Sequence, residues 1–150
     1  MVKYLVEHGA DINKKNTFRK RLLLFAYRSG NVKAVKYLVK KGIEIYNENE
    51  DDEFPLFYSC VYENIAIFKY LMEQGINITK EDGKGETALF YVCRRGNMDV
   101  VKYLIENGAD INKENKWNKT PLYYAHFYKK EEIEKYLIEQ GAVRTEMEDD

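Results

Sequence analysis

The chain has 150 residues, room for one domain of ordinary size, and its 24 Lys and Arg against 25 Asp and Glu leave a net charge of −1. That balance excludes a protein held to nucleic acid or an anionic membrane by overall charge, and a hydrophobic content of 45% excludes intrinsic disorder. Two cysteines cannot build a disulfide framework, and the longest apolar run, Leu22 to Tyr27, is too short to cross a bilayer. Met1 to His8 lacks the sustained apolar stretch and small-residue cleavage site of a signal peptide, so the expected location is cytoplasmic. Thirteen Tyr, seven Phe and one Trp, beside only two Ser and two Pro, form an aromatic excess that needs a physical reason.

Along the chain one unit recurs. Val2-Lys-Tyr-Leu-Val-Glu-His-Gly9 returns as Val35-Lys-Tyr-Leu-Val-Lys-Lys-Gly42, then as Phe68-Lys-Tyr-Leu-Met-Glu-Gln-Gly75, Val101-Lys-Tyr-Leu-Ile-Glu-Asn-Gly108 and Glu134-Lys-Tyr-Leu-Ile-Glu-Gln-Gly141, each 33 residues after the last. The period divides the chain into a half repeat over 1–15 and repeats over about 16–48, 49–81, 82–114 and 115–147, with an acidic tail over 146–150, all within a single domain. Residue 1 already falls inside a second helix, which suggests a fragment of a longer array.

Each period predicts two helices and a turn. In the second helix Val100, Val101, Leu104 and Ile105 make an apolar stripe, Asn97 is placed to cap its start, and Gly108 suits its left-handed end. The first helix is expected to begin near Thr120, an N-cap, with Pro121 in the first turn where a missing N–H costs nothing. The polar stretch from Asp110 to Lys119 reads as a turn or hairpin-like finger. One helix pair cannot bury both its apolar faces, so an all-α solenoid of stacked helix–turn–helix units is expected.

These residues resemble ankyrin repeats. Asp82-Gly-Lys-Gly85-Glu-Thr87-Ala-Leu89 is similar to the family's opening motif, as is Thr120-Pro121-Leu122 with Ala125. Gly9-Ala10-Asp11-Ile12-Asn13 and Gly108-Ala109-Asp110-Ile111-Asn112 are similar to its ending. The resemblance implies β-hairpin-like finger loops, binding through finger tips and the concave face of the first helices, and no catalysis. Two departures stand out. The usual His is replaced by Leu24, Phe57, Phe90 and Tyr123, and the usual interhelix Gly, present at Gly30 and Gly96, is Glu63 and Lys129 elsewhere. A side chain forced to positive φ costs on the order of 1 kcal/mol, so a different turn is expected at those two junctions. At the end of the array, Glu134 in a column otherwise apolar suggests a capping repeat with a polar outward face.

Sites of chemistry find little support. Cys60, Cys93 and His126 share one column of successive first helices, about 8–10 Å apart, whereas zinc ligands sit about 2 Å from one ion, so all three are read as core packing and no metal or cofactor is expected. Gly83 and Gly85 belong to the repeat turn and lack the Lys of a phosphate loop. The cluster Glu48, Glu50, Asp51, Asp52 and Glu53 lacks the alternation of a calcium loop and reads as a solvated acidic finger. Neither Ser29 nor Ser59 sits in a nucleophile elbow, so no enzyme is expected.

The aromatics divide by column. Tyr4, Tyr37, Tyr70, Tyr103 and Tyr136 mark the second helices, where the ring packs and the hydroxyl reaches water. Phe25, Phe57, Tyr58, Phe90, Tyr91, Tyr123 and Tyr124 lie in first helices and are assigned largely to the core. Trp117 and Phe18 fall on finger tips, and Tyr62, Phe127 and Tyr128 at the variable end of the first helix. The fingers differ in charge. Lys14, Lys15, Arg19, Lys20 and Arg21 make the first basic, the second is the acidic cluster, the third mixes Lys80, Glu81, Asp82, Lys84 and Glu86, and the fourth is basic with Lys113, Lys116 and Lys119. Phe18, Tyr62, Lys84, Arg94, Arg95, Lys116, Trp117, Lys119, Phe127 and Tyr128 are therefore the candidate contacts for a protein partner. A monomer is expected, with association possible only through the unfinished N-terminal end. A regulatory or scaffolding segment of a larger protein and a self-associating repeat are the alternatives.

Overall fold

A computed structural model describes residues 4, 7, 8, 17–42 and 55–144. Among them are eight helices and no strand: α1 (Thr17–Arg28), α2 (Val32–Lys40), α3 (Pro55–Val61), α4 (Ile65–Glu73), α5 (Ala88–Arg95), α6 (Met98–Glu106), α7 (Pro121–Phe127) and α8 (Glu131–Glu139). The chain divides into two compact units, Met1–Ile76 and Asn77–Asp150. In the first, the pair α1–α2 stacks on α3–α4; in the second, α5–α6 stacks on α7–α8. The architecture is all-α, as expected for ankyrin repeats. The acidic cluster Glu48 to Glu53, the tail 146–150 and the basic Lys14 and Lys15 lie outside the described residues.

The columns predicted from the period become the cores. Val35, Leu38, Leu56, Phe57, Ile67, Phe68 and Leu71 are buried in the first unit. Leu89, Phe90, Val92, Val101, Leu104, Leu122, Ala125, Ile133 and Leu137 are buried in the second. Capping follows the sequence. Asn31, Asn64 and Asn97 Oδ1 accept from Ala34, Ile67 and Val100 N at 3.0, 2.9 and 3.2 Å, and Thr120 Oγ1 accepts from Tyr123 N at 3.2 Å. Among the described second helices, only α8 lacks this device, because Lys130 stands at its N-cap with no side-chain bond.

Several expectations are corrected. Glu63 and Lys129 keep the same turn as the glycines they replace, at φ 53° and 54° beside 66° at Gly30. The backbone bonds match: Gly30 N donates to Tyr27 O, Glu63 N to Cys60 O and Lys129 N to His126 O, at 3.1, 3.3 and 2.9 Å. Packing of the helix pair fixes the junction and the side chain bears the left-handed strain. Phe18 lies in the first turn of α1 and not on a finger tip, because that helix starts at Thr17. Phe25, assigned to the core, is half exposed, while Phe57 and Phe90 are buried. His126 is exposed and faces Glu134, its Nδ1 3.2 Å from both carboxylate oxygens, while only Cys60 and Cys93 of that column are core. Burial pushes the Cys60 thiol up to about 12 and the Cys93 thiol higher still. The Tyr37 hydroxyl is buried without a partner instead of reaching water. The last repeat exposes Ile138 and Val143, so its outward face is not wholly polar.

The recurring Lys-Tyr dipeptide has a cross-repeat role. Lys36 Nζ sits 5.3 Å from the ring centre of Tyr70, and Lys102 Nζ 5.6 Å from that of Tyr136. Each lysine reaches the tyrosine of the following repeat.

Lys129→Gly relieves left-handed strain and raises stability by about 0.5 kcal/mol, net of the chain entropy that glycine adds. Gly30→Ala does the reverse and lowers it by more than about 1 kcal/mol, since its Cβ falls 2.5 Å from Asn64 Nδ2, the cap of α4. Urea unfolding of the two variants beside the parent checks both signs.

Candidate interaction face

The third and fourth fingers are both in the second unit. Each closes as a tight turn with two backbone bonds and no ladder: Asp82 N donates to Glu86 O and Gly85 N to Asp82 O, both at 2.9 Å, and Asn115 N to Lys119 O and Asn118 N to Asn115 O, both at 3.0 Å. One backbone bond ties finger to finger, Lys116 N to Lys84 O at 3.0 Å. Gly85 suits the turn before that bond, because its φ of 76° is left-handed backbone that side chains strain to adopt.

Beneath the fingers lies a polar network. Asp82 Oδ1 accepts from Lys84 N and Glu86 N at 2.8 and 2.9 Å, and its Oδ2 accepts from the Tyr91 hydroxyl at 2.6 Å. Glu86 is 0% exposed. Its carboxylate accepts from Arg94 Nη2 at 3.0 Å and from Asn115 Nδ2 at 2.9 Å. Asn115 Nδ2 also donates to the Tyr124 hydroxyl at 3.2 Å, while its Oδ1 accepts from Trp117 N and Lys119 N at 2.9 and 3.0 Å. One buried carboxylate thus holds a helix cation and the amide that shapes the fourth finger tip.

Above the network is an aromatic ladder on α7. Tyr123 stacks with Phe127 and Tyr124 with Tyr128, at centroid distances of 6.0 and 6.3 Å. Edge contacts join the two stacks, Tyr123 to Tyr124 at 5.5 Å and Phe127 to Tyr128 at 5.2 Å. Two cations cover the ladder. Arg94 lies over Tyr124 at 4.5 Å and reaches Tyr91 and Tyr128, and Lys119 lies over Tyr123 at 4.2 Å. Partial burial opposes the guanidinium charge of Arg94, but Glu86, its hydrogen bond and the two tyrosine hydroxyls outweigh it and favour the charged form. Burial first, then Asp82 and Glu86, push the Tyr91 hydroxyl above its ordinary value; burial and Glu86 do the same to Tyr124.

The candidate residues therefore separate. Trp117, Phe127 and Tyr128 are 58%, 62% and 44% exposed on this face. Lys84, Lys116 and Arg95 are exposed and Lys119 is half-buried. Arg94 has most of its side chain withdrawn onto Glu86, at 24% exposure, so it braces the face more than it presents itself. Tyr62 belongs to the first unit, where it is exposed and stacks with Tyr58 at 6.1 Å. The side chain of Phe18 lies outside the described residues. Sequence reasoning missed Glu86 and Asn115, which sit among charged and polar finger residues indistinguishable from solvated ones. The only available signal was their place beside the repeat turn.

Residues 1–82 and 77–148 match the family model for ankyrin repeats in three copies. The chain belongs to the ankyrin-repeat family. Ankyrin repeats are in general protein-interaction modules and are typically non-catalytic. No curated protein matches the chain. No helix among the described residues is long and apolar enough to cross a membrane. In this ankyrin array a buried acid, Glu86 at the base of the third finger, holds the fourth through Asn115.

Glu86→Ala leaves Arg94 without its anion and lowers stability by about 3 kcal/mol in urea unfolding, whereas Glu86→Ala with Arg94→Met recovers much of that loss. Alkaline stability follows from the raised hydroxyls. A folded-state value above the ordinary 10.0 of Tyr means stability is intact below pH 10 and is lost as pH rises further. Tyr91→Phe makes that alkaline decline shallower in pH-dependent unfolding, and an unchanged slope would refute the coupling.

Proposed function

We propose that this chain is a non-catalytic protein-interaction module whose binding face is the fourth finger and α7. The observation that carries it is the exposure of Trp117 on the fourth finger and of Phe127 and Tyr128 at the end of α7, beside side chains held in place by Glu86, Asn115 and Arg94. Large exposed aromatics have the character of interface hot spots, and Phe127 and Tyr128 are ordered by ring contacts with Tyr123 and Tyr124. Their order reduces the entropy lost on binding. Lys84, Arg95, Lys116 and Lys119 form the polar rim, which sets orientation and encounter rate. Tyr62 and Phe18 are assigned to the first unit and are secondary contacts of the same partner or of another segment of it. Together with the family's general role, this favours a protein partner over a nucleic acid or a membrane, and a cytoplasmic setting fits the sequence.

The test is capture of partners from a native lysate, comparing the parent with Trp117→Ala plus Tyr128→Ala. The partner bound by the parent is expected to lose at least about 2 kcal/mol of affinity to the double variant, near 30-fold, with no change in unfolding midpoint. Equal retention by both proteins would place the contact elsewhere.

A further inference from the structure

We infer that the fourth-finger face takes an acidic linear segment of a protein partner, one that carries apolar or aromatic side chains among its carboxylates. This deepens the protein-binding reading above and rests on it. The argument is charge complementarity around an apolar centre. Lys84 and Lys116 come from adjacent fingers whose backbones are bonded at 3.0 Å, so two ammonium groups rise from neighbouring tips. Among the described residues, neither they nor Arg95 nor Lys119 meets a carboxylate within ion-pair distance.

The carboxylates of the same fingers are already committed. Asp82 is taken by two backbone amides and Tyr91, Glu86 is buried on Arg94 and Asn115, and Glu81 pairs with Lys113 at 2.9 Å. Among the described residues, Asp110 and Glu114 are exposed without an ion pair, against four cations. The near-neutral chain is thus locally cationic where it is also most aromatic. Trp117, Phe127 and Tyr128 supply exposed flat apolar surface, and Lys119 over Tyr123, which stacks on Phe127, joins one of the cations to it, an arrangement suited to aliphatic or aromatic side chains spaced between acids.

Cations beside aromatics also describe single-strand nucleic-acid platforms. Here the cationic stretch is short. Immediately beyond α7 the exposed Glu131 and Glu132 open α8, and they oppose a polyanion that tracks past the helix end. An acidic segment can place its carboxylates over the fingers and its apolar side chains at the end of α7, away from those acids, which a uniformly charged strand cannot.

The test selects random peptides of about twelve residues, able to span roughly 36 Å when extended, on the intact chain by display. Selected peptides that lack Trp are then titrated while following Trp117 fluorescence, which reports the site directly because the chain has one Trp. The inference expects enrichment in Asp and Glu together with Leu, Phe, Tyr or Trp. It also expects a shift in Trp117 emission, and affinity lowered at least about tenfold by Lys84→Glu, Lys116→Glu and Lys119→Glu combined. Peptides that shift Trp117 but carry no acidic bias, or that ignore the charge reversal, overturn this inference and leave the protein-binding reading standing. Selected peptides that leave Trp117 unmoved and survive Trp117→Ala overturn both. A single-stranded oligonucleotide that displaces the peptides at equal concentration also overturns the inference, in favour of a polyanion site.

Discussion

The order of the third and fourth fingers depends on one buried carboxylate. Glu86 has no access to water, and an ionised acid in that position would be costly unless paired and hydrogen-bonded. Arg94 from α5 and Asn115 from the fourth finger supply those bonds. The requirement to satisfy one acid therefore ties a helix to a finger of the next repeat. Asn115 passes the constraint outward, since the same side chain that donates to Glu86 accepts from the backbone of Trp117 and Lys119. The tip that presents the only Trp is shaped by a group buried beneath it.

Arg94 shows how one cation serves both layers. Its guanidinium is an ion-pair partner below and a π-stacking partner above, over Tyr124. A lysine could not do both, because it lacks the planar fork. Tyr124 in turn contacts Asn115 through its hydroxyl and Tyr128 through its ring, so the polar network and the exposed ladder share members.

Much of the fold was legible because the repeat exposes its own logic. Gly42, Gly75, Gly108 and Gly141 close the second helices at positive φ, and Asn31, Asn64 and Asn97 cap their starts, each a local rule visible in spacing alone. What escaped was set by tertiary packing. Glu63 and Lys129 hold a glycine turn because their helix pairs leave no alternative, and local propensity argued the other way. Phe25 and Phe57 belong to one class of first-helix aromatic, yet one is half exposed and the other buried, a difference of facing that the pattern did not resolve. The exposure of Trp117, Phe127 and Tyr128 was legible by column because variable positions of a repeat face outward. Glu86 was not found, since a buried acid and a solvated one have the same letter and only the partner across the fingers, 29 residues away in sequence, distinguishes them.

Amide hydrogen exchange at the fourth finger tests the central claim most directly. In Glu86→Ala with Arg94→Met, no buried charge is left unpaired, but Asn115 loses its anchor. The account predicts faster exchange at the Trp117 and Lys119 amides while protection in α6 and α8 persists. Unchanged protection at those two amides would show that the finger tip is ordered independently of the buried acid, and would contradict the account.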